Sequence, residues 1–321
     1  MRQKVSQDAL EQKVKEFTEK DHSSLSAEVD LHFGDVLMRL PVATQDGLLF
    51  ESTFCHGYQE KKYLLALSVQ VGCASGCTFC ELGEAGYKRN LTSDELLDQL
   101  ATLLDRAILR GYDVFSRPLK ATFVMGGEPL ANPNFPDAIA RMADDIPLQL
   151  KISTIFPDSD NAWKIYERLV EVAKGYPNII QPQFSINSTD EGYRQGLAKI
   201  PLAGFEKIRK AGELWMDSVP DPRKVNLTFT LNNDTLMNPE SIRHILSPDV
   251  FAVRLRDWLP TAGGSDSDLK PVELARLYGL RTRFEDLGYF FVPGMSQHFE
   301  HHFELSSMDL FKFYSKVVKQ H

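Results

Sequence analysis

Three of the four cysteines lie within the short segment "VGCASGCTFC", at Cys73, Cys77 and Cys80. In a chain without an export signal, thiols this close together are typical metal ligands rather than disulfide partners. They could hold zinc if a fourth ligand came from elsewhere, and Cys55 is the only other thiol. They could also bind three irons of a [4Fe–4S] cluster and leave the fourth iron open. Because the sequence has no second C-x2-C pair, we favour the cluster.

A second segment that could do chemistry is "VMGGEPLAN", residues 124–132. Gly126 and Gly127 would let the backbone approach a ligand closely, and Glu128 would offer an acceptor to an ammonium group. G-G and E-P are also common turn signals, so these residues alone leave both interpretations open.

The elements that would position these residues alternate in type along the chain. Short apolar segments typical of strands are separated mostly by segments with helical periodicity, such as 92–111, 133–144, 161–174 and 203–215. This alternation predicts right-handed βα units around a parallel sheet, either open or an incomplete eight-stranded barrel. The predicted strands, six in number, are 63–71, 120–127, 148–156, 179–187, 225–231 and 250–258.

The composition predicts one compact unit without repeats or a long linker. We expect an N-terminal helix and β-hairpin extension over 1–60, a core over 61–260 and a C-terminal cap over 261–321. The start does not resemble a signal peptide, and no apolar run approaches the roughly 18 residues that a membrane span needs. We therefore expect a cytoplasmic protein without a membrane partner. The net charge of −8 is unfavourable for approaching a phosphate backbone.

The segment "SVQVGCASGCTFCELGEAGYKRNLTSDELLDQL", followed by "GGEP", resembles the radical S-adenosylmethionine (SAM) superfamily. Over roughly residues 60–260 the chain is similar to one branch, the adenine-C2 methyltransferases of ribosomal and transfer RNA, which share the "RNLT" of residues 89–92. The resemblance implies a partial (β/α)6 barrel with a short β-containing extension and a C-terminal cap. It also implies that the three clustered cysteines bind a [4Fe–4S] cluster whose open iron chelates SAM. SAM is then cleaved to methionine and a 5′-deoxyadenosyl radical.

The same resemblance implies which residues contact the cofactors. An aromatic residue precedes the third cysteine, the GGEP segment binds the SAM amino group, and polar residues at two later strand ends hold its ribose and methionine parts. These residues are Phe79, Gly126, Gly127, Glu128, Ser153, Ser185 and Asn187.

Two cysteines that this branch needs are missing here. One carries the methyl group near the C-terminus, and the other stands seven residues before the first cluster cysteine, where this chain has Ala66; no cysteine follows Cys80. We therefore expect hydrogen abstraction from a non-RNA small molecule, leading to rearrangement, epimerisation, oxidation, carbon–carbon bond formation or transfer of another part of SAM. The expected partners are that small molecule and an electron donor such as flavodoxin or ferredoxin, but not nucleic acid. The alternatives are RNA modification without a methyl-cysteine, and a non-catalytic iron–sulfur sensor or scaffold.

Three further groups keep both a functional and a structural interpretation. Cys55 could donate a hydrogen atom or be an ordinary buried strand cysteine. The histidines of "SQHFEHHF" could bind a metal or an anion or be solvated or core-facing; they are His298, His301 and His302. The charged residues of "RLRDW" could contact a charged substrate or form a surface ion pair; they are Arg254, Arg256 and Asp257.

Overall fold

The computed structural model describes residues 7–19, 24–27, 31–33, 37–56, 62–80, 82, 86–258 and 270–292. The α-helices in these ranges are α1 (Gln7–Thr18), α2 (Ser93–Leu109), α3 (Phe135–Asp145), α4 (Asp160–Gly175), α5 (Glu191–Gly196), α6 (Phe205–Ser218), α7 (Pro239–Ile242) and α8 (Leu274–Asp286). A short 3₁₀ helix spans Pro129–Ala131. The strands are β1 (Leu25–Ala27), β2 (Leu31–Phe33), β3 (Leu37–Thr44), β4 (Leu49–Cys55), β5 (Tyr63–Leu67), β6 (Gln70–Gly72), β7 (Tyr87–Asn90), β8 (Leu119–Phe123), β9 (Gln149–Thr154), β10 (Ile180–Ser185), β11 (Val225–Leu231), β12 (Phe251–Asp257) and β13 (Phe290–Phe291).

The main sheet has the order β1-β3-β4-β5-β8-β9-β10-β11-β12-β13, and β2 pairs with β3. In this main sheet, every neighbouring pair from β5 through β8 to β13 is parallel. The strands are parallel because helices return the chain between successive strands. The predicted α/β fold, a partial (β/α)6 barrel, is therefore confirmed. The two-residue β13 adds one parallel strand that the six-strand prediction did not assign to the sheet.

The N-terminal part extends the sheet with antiparallel strands. β3 pairs with β4, and β4 pairs with β5, both antiparallel. Helix α1 contacts α2 and buries Val14 and Phe17 completely or nearly so. The domain boundaries at residues 60 and 260 stay predictions. Residues 261–269 and 293–321 of the predicted C-terminal cap lie outside the described residues, and the three histidines of "SQHFEHHF" are among them.

Helix α2 shows why the sequence forms these elements where it does. Thr92 accepts a hydrogen bond from the Glu95 amide and Glu95 reaches back to the Thr92 amide, which completes a capping box. The helix then buries a continuous apolar face against the sheet, including Leu100 and Leu104. Its first turn is therefore fixed directly after the segment "RNLT".

Side chains alternate between the two faces of the barrel strands. On β9, Leu150 and Ile152 belong to the apolar core, whereas Lys151 and Ser153 alternate with them. Lys151 and Ser153 therefore face the barrel interior, and the carboxyl ends of the parallel strands form one rim. No described helix is long and apolar enough to cross a membrane.

Candidate active site

The three clustered cysteines lie in the loop between β6 and β7, which form a small antiparallel ribbon at the end of β5. The ribbon closes tightly: the Cys73 amide donates to the Gly86 carbonyl at 3.2 Å. Gly72 has a φ of +74°, and a Cβ there would lie 1.8 Å from the Gly86 carbonyl oxygen. Glycine is therefore required at position 72, and the ribbon fixes where the loop leaves and rejoins the barrel.

The cysteine loop also rests on the segment that follows α5. The Thr78 amide donates to the Leu197 carbonyl at 3.0 Å, and the Lys199 amide donates to the Ser75 carbonyl at 2.9 Å. Gly76 has a φ of +56° and faces the Lys199 side chain so closely that a Cβ would lie 2.6 Å from it. The loop is thus held at both ends and in its middle.

The chemistry of the three thiols suits a cationic cluster. Each is half-buried, and burial is the main cause that raises the pKa of Cys77; the negative charges of Cys80 and Cys73 raise it further. Burial likewise raises the pKa of Cys73. Three thiolates this close repel one another until positive charge neutralises them, so the set fits three irons of a [4Fe–4S] cluster. The described part of the chain contains no group of three His, Cys, Asp or Glu side chains arranged to hold a single metal ion. Phe79 is half-buried in the same loop.

The GGEP segment lies directly against the strand that carries the cysteines. The Gly126 carbonyl accepts from the amides of Val69 and Gln70, at 2.6 and 3.1 Å. Gly127 has a φ of +95°, and a Cβ there would lie 2.5 Å from the Gln70 side chain. The two glycines therefore allow a backbone approach that any larger residue would prevent, and the turn is part of the site.

Glu128 is a buried carboxylate at the centre of the rim. Its Oε1 accepts from the Thr154 hydroxyl and from the Leu130 amide at 2.9 Å, and its Oε2 accepts from the Ile155 amide at 3.0 Å. Burial raises the pKa of Glu128 to about 7, although these three hydrogen bonds oppose the rise. Since a carboxylate has about four acceptor positions, one on Oε2 stays available for a cationic ligand.

Arg194 on α5 is a site residue that the sequence did not assign. Its guanidinium is 2 % exposed and donates to the carbonyls of Ile155 at 2.7 Å and Ser185 at 3.3 Å. Its buried Nε has no hydrogen-bond partner among the described residues. Burial lowers the pKa of Arg194 to about 10, and the negative charges of Glu191, Cys77 and Glu128 oppose this. A positive charge is therefore fixed beneath the cysteine loop and the rim.

The other predicted SAM contacts lie on the same rim. Ser153 accepts from Gln183 at 3.0 Å, and Ser185 ends the neighbouring strand. Asn187 has a φ of +60°, and its Oδ1 accepts from the Thr230 amide at 3.1 Å. Their direct contacts with SAM stay a prediction.

Two buried side-chain amides outside the predicted set fix the connection between β5 and β6, which leads to the cysteine loop. Gln99 on α2 is completely buried; it donates to the Ser68 carbonyl at 2.8 Å and accepts from the Ser68 amide at 2.9 Å. Asn132 donates to the carbonyls of Val69 and Leu91 at 2.8 and 2.9 Å. Asn132 is the last residue of "VMGGEPLAN", so its place in that segment could have marked it as a site residue. No sequence signal marked Gln99.

The "RNLT" segment has a structural role in this chain. Arg89 forms two hydrogen bonds with Glu95, both 2.8 Å, and two with Asp46 on the N-terminal hairpin turn. Asn90 accepts from Gln70 at 2.8 Å. The segment therefore ties the ribbon to α2 and to the N-terminal extension.

Cys55 is not part of the cysteine cluster. It ends β4 and pairs with Leu64, near the start of β5, whereas Cys73 follows the end of β5. The zinc alternative with Cys55 as fourth ligand is therefore wrong, because the two thiol positions lie at opposite ends of a strand. Arg254 and Arg256 alternate with the core residues Val253 and Leu255 on β12 and so face the barrel interior rather than an outer surface.

Comparison with known proteins adds relatives whose names include a substrate class. The chain is 28% identical over 188 residues to the dual-specificity RNA methyltransferase RlmN of Marinobacter nauticus, covering 57% of this chain and 48% of that protein. It is 28% identical over 266 residues to a Sorangium cellulosum protein named "Probable RNA methyltransferase sce1580", covering 79% of this chain and 61% of the relative. The chain thus matches about half to three-fifths of the length of these relatives.

A solved structure shares the fold. The radical SAM methyltransferase from Sphaerobacter thermophilus aligns with a TM-score of 0.68 and 19% identity, covering 85% of this chain and 78% of that one.

These names overturn two expectations from the sequence. The expected non-RNA small-molecule substrate and the expected absence of a nucleic-acid partner are both wrong, because the relatives are named RNA methyltransferases. Net charge is a sum over the whole chain and does not describe the local field inside the barrel. The missing carrier thiol concerns a reaction route and carries no information about the substrate.

The family itself is shown by one further match. A family model described as the radical SAM superfamily matches residues 67–245, which include the cysteine loop, GGEP and all three later rim residues. Enzymes of this superfamily use a [4Fe–4S] cluster and SAM, so both predicted cofactors are confirmed. Because the match covers more than half of the 321 residues, this chain belongs to the radical SAM superfamily.

Proposed function

We propose that this chain is a radical SAM enzyme that modifies RNA. The observation that carries the proposal is the match to a protein named as an RNA methyltransferase over 79% of this chain. The match spans 61% of that relative, so the activity of the whole relative is a proposal for this chain and not a property transferred with the fold.

The cysteine loop would hold the cluster. Cys73, Cys77 and Cys80 would each bind one iron, and the loop's contacts with the ribbon and with residues 197–199 would keep the three sulfurs in place. When bound, the cluster supplies the electron that cleaves SAM. Gly126 and Gly127 have no side chains, so they would let the backbone come close to the bound SAM.

Glu128 would bind the SAM ammonium through its remaining acceptor position. Its three protein donors fix the carboxylate in one orientation, so little ordering would be lost when SAM binds. Ser153, Ser185 and Asn187 would line the rest of the SAM site. Arg194 would act as a positioning residue, because its buried charge stabilises the anionic groups above it.

The modification would proceed without a methyl-cysteine of this chain. Position 66 is alanine and no cysteine follows Cys80, so the sequence offers no thiol in the places that the carrier route uses. After incubation with SAM, the intact protein should show no added methyl mass. A stable methyl adduct on Cys55 would contradict this part of the proposal.

The test of the proposed function is RNA-dependent turnover. Protein reconstituted with iron and sulfide under anaerobic conditions is given dithionite, SAM and ribosomal or transfer RNA, and 5′-deoxyadenosine is measured. RNA should stimulate its release, the Cys77→Ala variant should release none, and Cys55→Ala should behave as wild type. Equal release with and without every RNA tested would count against an RNA substrate.

Cytoplasmic localisation belongs to the same proposal, because the reduced thiols that bind the cluster persist in that compartment.

A further inference from the structure

Basic side chains gather inside the barrel of a chain whose net charge is negative. Lys151 is 4 % exposed and faces the interior from β9, while Lys120 faces it from β8. Arg254 on β12 extends across β11 to Gln183 on β10, with 3.5 Å between its Nη1 and the amide oxygen. The side chains of these strands therefore meet in one interior space.

The surroundings of Lys151 are cationic. Burial is the main cause that lowers the pKa of Lys151 to about 5, and neighbouring positive charges lower it further. The neighbours that act on it are Arg254, Lys120, Arg256 and Lys62, so every charged group with a leading effect on Lys151 is a cation. A buried lysine surrounded by cations is unfavourable for folding, and a bound anion would remove that cost.

Neutral donors and acceptors also face this interior. Gln181 and Gln183 face the interior from β10, next to Lys151 and Ser153 in the register of the sheet. Thr228 on β11 stands between Ser185 and Arg254 in the same register. Thr228 is 3 % exposed, and its hydroxyl has no hydrogen-bond partner among the described residues. A buried hydroxyl without a partner is costly, which indicates a ligand at this place.

We propose that the barrel interior is a phosphate-binding site, formed by Lys151, Arg254 and Thr228 with Lys120 and Arg256 at its edge. The inference rests on the proposed RNA substrate and names the group of that substrate that the barrel interior takes. Lys151 precedes Thr154, the partner of Glu128, by three residues, or roughly 10 Å along the strand. A phosphate bound at Lys151 would thus place an attached nucleotide between the cationic interior and the SAM-binding rim.

Sulfate is the first probe, because it is a tetrahedral dianion that does not titrate near neutral pH. Its binding to the cluster-loaded protein is measured by calorimetry at pH 7 in wild type and in Lys151→Met. The absence of binding to wild type, or binding to Lys151→Met with the affinity of wild type, would overturn the proposal.

Two variants keep the test independent of folding. Lys151→Met should weaken sulfate binding about tenfold or more, since it removes a charge-assisted hydrogen bond. Thr228→Val removes only a hydroxyl that has no partner among the described residues, so it should fold as wild type and bind sulfate several-fold more weakly. Lys174→Met removes an exposed lysine of α4 and is the matched control that should change nothing.

Turnover separates failure of this inference from failure of the proposed function. If wild type modifies RNA, Lys151→Met should raise the apparent KM for RNA about tenfold. Equal KM values in the two proteins would overturn the phosphate site while the proposed function stands. A nucleoside 5′-monophosphate and a short RNA are compared as competitors of sulfate; competition by either supports the site and identifies the source of the phosphate, and competition by neither overturns it.

Discussion

Replacement of Gln99 by methionine should destabilise the protein and loosen the strand that leads into the cysteines. Gln99 is completely buried, and its side chain accepts from the Ser68 amide and donates to the Ser68 carbonyl. Gln99 also accepts from the buried Ser52 hydroxyl at 3.2 Å. Methionine has a similar length but no polar end, so all three groups would lose this partner inside the core. Each buried group left unpaired costs about 1–3 kcal/mol, which gives about 3–9 kcal/mol for the three.

The assay is urea denaturation of the apoprotein, combined with hydrogen exchange at Ser68 and iron content after anaerobic reconstitution. Gln99→Met should lower the unfolding midpoint, speed exchange of the Ser68 amide and reduce iron retention. The matched control is Gln12→Met, since Gln12 is an exposed glutamine on α1 whose side chain bonds only the exposed Glu16 among the described residues. Its effect should stay within about 0.5 kcal/mol.

A second variant separates lost hydrogen bonds from lost packing. Gln99→Glu keeps the shape, but an ionised carboxylate cannot donate to the Ser68 carbonyl. Below the pKa of an unfolded glutamate the side chain is neutral in both states and can donate again, so the stability difference from wild type should shrink as the pH falls. If Gln99→Met and Gln12→Met cost the same, the reasoning about this buried pairing is refuted.

The remaining predictions concern four other positions. Gly127→Ala should lose SAM binding, because its φ of +95° and the nearby Gln70 side chain exclude a Cβ, whereas Gly196→Ala, with nothing within 4 Å, should bind SAM normally. Cys55→Ser should retain the full iron content after reconstitution, and a loss of iron would contradict its exclusion from the cluster. SAM affinity should fall as the pH drops below about 7, where the raised pKa of Glu128 leaves it protonated, and Glu128→Gln should bind weakly without this pH dependence. Lys151→Met should raise the free energy of unfolding at pH 7 by at least about 1 kcal/mol, and the gain should shrink toward pH 10, where lysine is also neutral in the unfolded chain.

The fold could be predicted because its signals are local. Helix α2 begins at Ser93 after a capping Thr92, as its sequence indicates, and each predicted core strand overlaps an observed one. The β6–β7 ribbon was missed because its strands are short, irregular in polarity and separated by the cysteine loop. Helix α5 was missed for a similar reason, since its six residues are too few to show periodicity.

The site was predictable where chemistry depends on rare residues. Cysteines, paired glycines and Glu128 are few, so their spacing carries information. Arg194 and Gln99 are ordinary surface residue types in sequence, and only the fold makes them buried. The interior position of Lys151 likewise follows from strand alternation and curvature, which a total charge of −8 conceals. That concealment is the physical reason why the sequence argument against RNA failed.

The central claim is tested most directly by analysing RNA after reaction. Cluster-loaded enzyme, dithionite and SAM are incubated with unmodified ribosomal and transfer RNA, and the digested nucleosides are separated and weighed by mass spectrometry. The account predicts a new nucleoside in wild-type reactions, absent with Cys77→Ala and reduced with Lys151→Met at limiting RNA. Unchanged RNA in reactions where the same wild-type enzyme cleaves SAM to 5′-deoxyadenosine would contradict it.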